Sequence, residues 1–174
     1  MAPAEVLGAI EQFRCCKNYD IEHFLRHNAL EFERRGLCTT YLYADTDSYE
    51  ISGYFSLTHK ALSIGSLSKE RRKDITGNKT ASIAPFILLG QLGKRMEHAE
   101  DGTVIAAPIA GDEMLRDAFS IIALANEYII NRRVLVECDD EERLLAFYSR
   151  NGFRLLERED NKCTLYLKLE TPSF

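Results

Sequence analysis

The sequence predicts an α/β protein: a mixed central sheet of six to seven strands with helices on both faces. Three observations carry this. Hydrophobic periodicity switches from helical to β and back several times along the 174 residues. A strand-helix-strand run from Ile83 to Cys138 requires a parallel crossover. Two further apolar stretches near the end are joined by a short polar turn, which pairs them as a hairpin. The length suits one domain, residues 1–174, with enough chain to bury a core.

The first clear element is a helix from Asp20 to Arg35. Asp20 is placed to cap it, Ile21, Phe24, Leu25 and Phe32 recur near helical spacing, and Gly36 follows a basic last turn. Cys38–Ala44 (CTTYLYA) and Tyr49–Thr58 (YEISGYFSLT) are rich in β-branched and aromatic residues. They flank the turn residues Asp45-Thr46-Asp47-Ser48, so they read as a hairpin, with Ala61–Ile64 as a short third strand. Ser66–Lys79 breaks the pattern with five basic residues against two acidic ones. Ile83–Leu92 reads as a buried strand with Pro85 at its start, because proline cannot donate to a central ladder. Gly111–Asn131 reads as a long helix, with Met114, Leu115, Ala118, Ile121, Ile122, Ala125 and Ile129 on one apolar face. Arg133–Cys138 is a short buried strand. Asp139 or Asp140 caps the next helix, which ends at Asn151-Gly152. Phe153–Arg158 and Cys163–Leu169 form the closing hairpin around Asp160-Asn161-Lys162.

Composition excludes several classes. Hydrophobic residues are 45% and charged residues 28%, which is globular rather than disordered. A net charge of −5 argues against an overall basic nucleic-acid binder and leaves room only for a local basic patch. The five cysteines show no Cys-x-x-Cys spacing, so no metal knuckle is expected and reduced thiols in the cytoplasm are. Met1–Ile10 lacks the basic and apolar regions of a signal peptide. No stretch approaches the ~20 apolar residues of a membrane span.

Chemistry is expected at the carboxyl ends of the parallel strands, Gly90-Gln91-Leu92-Gly93 and Glu137-Cys138-Asp139. Glycine rarely helps a strand interior. Gly90 and Gly93 therefore imply either a bulge or the close approach of a ligand to the backbone. A helix starting near Ala110-Gly111 would aim its first N–H groups at the same end, an arrangement that suits phosphate.

LLGQLGK (Leu88–Lys94), AGDEML (Ala110–Leu115), VLVECDD (Val134–Asp140) and LLAFYSRNGF (Leu144–Phe153) resemble the successive conserved segments of the GNAT N-acetyltransferases. The FY-x-x-x-GF ending is the most specific. Upstream, NYDIEHFLRHNALEFERRG, TTYLY and ISGYFSLT are similar to the toxin-like GNAT branch that acetylates the amino group of aminoacyl-tRNA. The resemblance implies acetyl-CoA as co-substrate and no metal. The backbone of Gln91, Leu92, Gly93 and Lys94 would bind the pantetheine arm, and Cys138 would lie beside the thioester. Ile109, Ala110, Gly111 and Asp112 would hold the pyrophosphate; only Gly111 matches the family's pattern there, since Ala106 replaces a Gln or Arg and Ile109 a glycine. Tyr148 matches the tyrosine that protonates the leaving thiolate.

The resemblance names no general base. Glu137, His23, His27, His59 and His98 are candidates of residue type alone, and the toxin-like branch requires none. A covalent role for Cys138 finds no His or Asp partner at a recognisable spacing. The acceptor follows as an amine, with aminoacyl-tRNA favoured, and Lys69, Arg71, Arg72 and Lys73 as its binding residues. A protein or small-molecule amine is the alternative acceptor. A non-catalytic GNAT-like module is the alternative class, supported by the altered loop Ala106–Gly111. A second copy of the chain is the remaining partner expected, and a membrane is not.

Overall fold

The structure is a computed structural model that describes residues 4–170. In chain order the elements are α1 (Ala4–Gln12), α2 (Tyr19–His23), a π-helical turn (Phe24–Asn28), α3 (Ala29–Arg34), β1 (Thr39–Ala44) and β2 (Ile51–Ser63). There follow α4 (Lys69–Thr76), β3 (Ile83–Lys94), β4 (Met96–His98), β5 (Val104–Ala106), α5 (Gly111–Ala125) and β6 (Arg133–Asp139). The last three are α6 (Glu142–Arg150), β7 (Arg154–Glu159) and β8 (Lys162–Lys168). Six strands make a mixed sheet in the order β1-β2-β3-β6-β8-β7, and β4 pairs with β5 apart from it. Internal contacts divide the chain into two compact units: residues up to 57 with 90–118, and residues 58–89 with 119 onward.

In the first unit Asn18, not Asp20, caps the opening helix, its side chain accepting the Ile21 N–H at 3.2 Å. The expected single helix contains a π turn, in which Ala29 N–H reaches back to Phe24 O. Its inner face supplies Ile21, Leu25 and Ala29 to a core shared with Ile10, Phe13, Ile51 and Tyr54. The Tyr54 ring meets Phe13 edge-on at 5.6 Å, and its hydroxyl donates to Ile21 O at 2.7 Å. α1 has no counterpart among the elements expected from sequence. The same holds for β4 and β5, whose three residues each are too short to show a period. The stretch around Cys15 is pinned to β4, since Cys16 N–H donates to Met96 O and Met96 N–H to Arg14 O, both at 3.0 Å.

In the second unit Ile64, Ile75, Ala84, Phe86, Leu135, Leu156 and Tyr166 form the core. β3 pairs with β6 in parallel over Ile87–Leu89 and Val134–Val136, as the crossover requires. β6 pairs antiparallel with β8 along its full length, Arg133 to Asp139. The closing hairpin turns at Asp160 (φ 45°) and Asn161 (φ 61°), the two positive-φ residues of a tight primed turn. Basic segment 66–79 holds α4, capped by Ser68 and closed by Gly77 at φ 79°.

Several boundaries differ from expectation. Ala61–Ser63 continues β2 instead of starting a third strand. β3 reaches Lys94. The helix after β6 is capped at Glu141 with no side-chain bond, so neither Asp139 nor Asp140 does this work. α5 stops at Ala125 instead of Asn131, because Asn126 turns its side-chain oxygen to the Asn131 N–H and closes a loop. Ile129, expected on the apolar helix face, is 76% exposed in that loop.

Candidate functional site

The expected site residues fall on both units. In the first, β3 ends in Gly90-Gln91-Leu92-Gly93-Lys94, and the loop after β5 delivers Ile109, Ala110 and Gly111 to the start of α5. Ala110 O accepts the N–H groups of Glu113 and Met114 at 3.1 Å each, so the helix begins cleanly on that residue. Met114 and Leu115 are fully buried and anchor this first turn. Asp112 and Glu113 put negative charge at the terminus, which steadies the helix dipole and opposes an anionic ligand. The Lys94 ammonium reaches the loop before this helix: its Nζ lies 3.4 Å from Ile109 O, to which it donates. Sequence placed Lys94 here only through its backbone. The donor set of this loop thus contains a cation, which fits a pyrophosphate.

The two glycines of β3 have an internal explanation. A Cβ at Gly93 would sit 2.3 Å from Ile21 Cγ2, and one at Gly90 would sit 3.2 Å from Ser56 Oγ. Across the sheet, a Cβ at Gly53 would lie 3.1 Å from Gly93 O and 3.4 Å from Ile109 Cγ2. Close packing of α2 on β3 therefore demands Gly93, and Ser56 of β2 crowds Gly90, where sequence pointed to ligand approach or a bulge. The result is a strand end held within narrow limits.

A cleft of about 720 Å³ in this unit is lined by Tyr43, Glu50, Arg95, Glu97, Ala106 and Pro108, among others. Arg95 spends its guanidinium on Glu50 and on Glu97, the latter at 2.9 Å. An anion gains nothing there. The Tyr43 hydroxyl donates to Asp117 at 2.7 Å. Burial and that carboxylate push the Tyr43 phenol above its ordinary range.

In the second unit Tyr148 sits on α6, 8% exposed. Its ring meets Phe153 edge-on at 5.4 Å and Phe147 at 5.0 Å, and its carbonyl accepts the Phe153 N–H at 3.1 Å. The FY-x-x-x-GF segment is thus one packed knot, with Gly152 at φ 87° making the turn. Burial first, then the nearby Cys138, holds the Tyr148 phenol above its ordinary range. Cys138 pairs in register with Cys163 on β8, and all five cysteines are free thiols. Burial pushes the Cys138 thiol up to about 11, the opposite of what a nucleophile needs.

The remaining expected residues separate by their contacts. Arg71 is a fastening of α4: its guanidinium donates to Leu155 O at 3.1 Å and Leu156 O at 2.9 Å. Arg72 is half-buried, with its Nε enclosed. Lys69 and Lys73 are exposed and present their charge to solvent. Among the base candidates, Glu137 is held by Lys60 at 2.6 and 2.8 Å. His59 and His98 are exposed. His23 and His27 pack ring to ring at 4.8 Å, an arrangement their i, i+4 spacing permits and sequence did not single out. Among the described residues no cluster suits a metal ion, and no helix is long and apolar enough to cross a membrane.

No protein-family model matches the sequence, and no curated protein matches it. Solved structures do. A bacterial toxin superposes with a TM-score of 0.70 at 21% identity, covering 92% of this chain and 83% of that one. AtaT complexed with acetyl-methionyl-tRNAfMet gives 0.68 at 19% identity, over 91% of this chain and 86% of that one. AtaTR bound with acetyl-CoA gives 0.68 at 20% identity, again over 91% and 86%. The likeness shows the fold: this chain has the GNAT-like mixed-sheet architecture that it shares with these structures.

Proposed function

We propose that this protein is an acetyl-CoA-dependent N-acetyltransferase of the toxin-like kind, working in the cytoplasm, with the amino group of an aminoacyl-tRNA as acceptor. The observation that carries the reading is the fold it shares, over nine-tenths of its length, with AtaT complexed with acetyl-methionyl-tRNAfMet. The FY-x-x-x-GF knot around Tyr148 supports it independently.

Acetyl-CoA supplies the acetyl group as a thioester. The reaction moves that group from sulfur to nitrogen: a C–N bond forms, the C–S bond breaks, and the sulfur must receive a proton. Tyr148 is the donor in this reading, its Oη carrying the proton that a phenol holds at neutral pH. The backbone of Gln91–Lys94 offers strand-type hydrogen bonds to the pantetheine amides, held in place by the packing of Gly93 on Ile21 and Gly53. Ile109–Asp112 and the Lys94 ammonium hold the pyrophosphate. Glu137, engaged by Lys60, and Cys138, with its raised thiol, take no chemical part. Lys69 and Lys73 carry positive charge toward the acceptor's phosphates, and Arg71 holds the helix that presents them.

The test is direct. Purified protein is given labelled acetyl-CoA and a pool of tRNA charged with all amino acids, and acetylated aminoacyl-tRNA is recovered and identified. Label on one or more aminoacyl-tRNAs, absent with uncharged tRNA, is the expected result. Transfer to lysine side chains or small amines alone would move the reading to the other acceptors. Acetyl-CoA bound without turnover on any amine would leave a binding module.

A further inference from the structure

We propose that the ring stripe Tyr19–His23–His27 is a stacking platform for the unpaired 3′ end of the RNA acceptor. The inference rests on the aminoacyl-tRNA reading and adds a second contact surface to it.

Tyr19, His23 and His27 recur at i, i+4 and i+8 and share one face of the helix. Their rings touch in succession, Tyr19 to His23 at 5.5 Å and His23 to His27 at 4.8 Å. The opposite face is fully used: Ile21, Leu25 and Ala29 lie in the core. The stripe is therefore surplus to folding. Tyr19 is 73% exposed, which is costly for a ring that serves nothing but solvent. The π turn at Phe24–Asn28 falls inside the stripe, and such insertions are most often retained at functional positions.

The position suits the task. Ile21, on the inner face of the same turn, packs directly on Gly93, and its carbonyl takes the Tyr54 hydroxyl. The stripe thus stands about one helix diameter, roughly 10 Å, from the strand end that the proposed function gives to acetyl-CoA. Charge is compatible as well. Lys17 is exposed just before the helix, and Glu22 is neutralised from within by Arg26 at 3.0 Å and the Cys15 N–H at 2.8 Å, which leaves Asp20 as the acid beside Tyr19. Phosphates flanking an unpaired end meet little repulsion there.

Geometry also assigns unequal roles. Rings already 4.8 and 5.5 Å apart leave no room for a base between them. A base therefore stacks on the outermost ring, Tyr19. His23 and His27 are positioning residues that hold that ring in one orientation and offer imidazole edges for hydrogen bonds.

The experiment uses the full chain and two RNA hairpins with the same acceptor stem, one ending in a single-stranded 3′ ACCA, the other blunt. Affinity is read by fluorescence anisotropy. Wild type should prefer the overhang. Tyr19→Ala should weaken overhang binding about tenfold and leave blunt-stem binding unchanged, while Tyr19→Phe and Tyr19→Trp should bind as wild type does. His23→Ala should give a smaller loss of the same selective kind, restored by His23→Phe. Equal wild-type affinity for the two probes, or none for either, overturns the proposal. So does an alanine variant that loses both probes equally, which would mean a general contact or a fold defect. Unchanged binding of both probes would assign the stripe to a protein partner and overturn it as well. Because binding rather than acetyl transfer is read, stripe-dependent overhang binding by a protein that acetylates no aminoacyl-tRNA would sink the acceptor reading and leave the stacking site standing.

Discussion

Replacing Tyr148 with Phe separates chemistry from packing. The ring of Tyr148 lies 5.4 Å from Phe153 and 5.0 Å from Phe147, both edge-on, and a phenylalanine keeps these contacts. What is lost is one hydroxyl on a side chain 8% exposed. Stability should therefore change by no more than about 1 kcal/mol, or about 2–4 °C in Tm for a chain of this length. Turnover is another matter. A positioned acid contributes ~10²–10⁴-fold, so at least ~2.7 kcal/mol of barrier lowering should disappear. The assay is release of free thiol at saturating acetyl-CoA and saturating charged tRNA, with calorimetry on acetyl-CoA in parallel. The expected pattern is kcat down a hundredfold or more, Kd for acetyl-CoA within about twofold, and Tm nearly unmoved. Because burial holds the phenol above its ordinary value of 10.0, Tyr148 should add no falling limb to the rate profile below pH 10. Turnover within a few-fold of wild type would remove Tyr148 from the mechanism and make solvent the proton donor. A falling limb near pH 8, lost in Tyr148→Phe, would refute the electrostatic argument even if the variant were slow.

Lys94→Met should weaken acetyl-CoA binding about ten- to a hundredfold by calorimetry, the value of one charge-assisted hydrogen bond, and should leave a truncated pantetheine thioester unaffected. In α4, Lys69→Glu with Lys73→Glu should preserve Tm but lower tRNA affinity and flatten its salt slope by about 1–2 units; Arg71→Ala should instead cost about 1–2 kcal/mol of stability, since it releases the carbonyls of Leu155 and Leu156. Gly93→Ala should destabilise by about 1–3 kcal/mol through overlap with Ile21, and combining it with Ile21→Ala should cost less than the two single changes added together. On the alkaline side, Cys138, Tyr54 and Tyr148 all have pKa values raised in the fold; their contribution is complete below the unfolded values of 9.0 and 10.0 and drains away as pH rises through the folded ones. Melting temperature should therefore fall from about pH 9 upward, and less steeply for Cys138→Ser than for wild type.

What the sequence disclosed and what it hid divide along one physical line. Periodicity and turn chemistry are local. The helix-hairpin opening, the β3-α5-β6 crossover and the Asp160-Asn161 hairpin could all be read from neighbours in the chain. The FY-x-x-x-GF knot is equally local, because Tyr148, Gly152 and Phe153 are one turn apart and their contacts follow from that spacing. Gly90 and Gly93 were visible too, but their cause was not. The atoms that crowd a side chain there belong to Ser56 and to Ile21, the latter some seventy positions upstream, so a bulge or ligand approach was what the local sequence could offer. The same distance hid the Lys94 ammonium at Ile109 O, which brings a cation from β3 to the altered loop. It also hid the difference between Arg71 and its neighbours, since four adjacent charges look alike until one of them reaches β7. Fastening residues and contact residues are distinguished only by what they touch across the fold. A basic segment therefore cannot be assigned to a ligand by composition: of the four cations proposed there, Arg71 is bonded to β7, Arg72 has its Nε enclosed, and the two lysines are exposed.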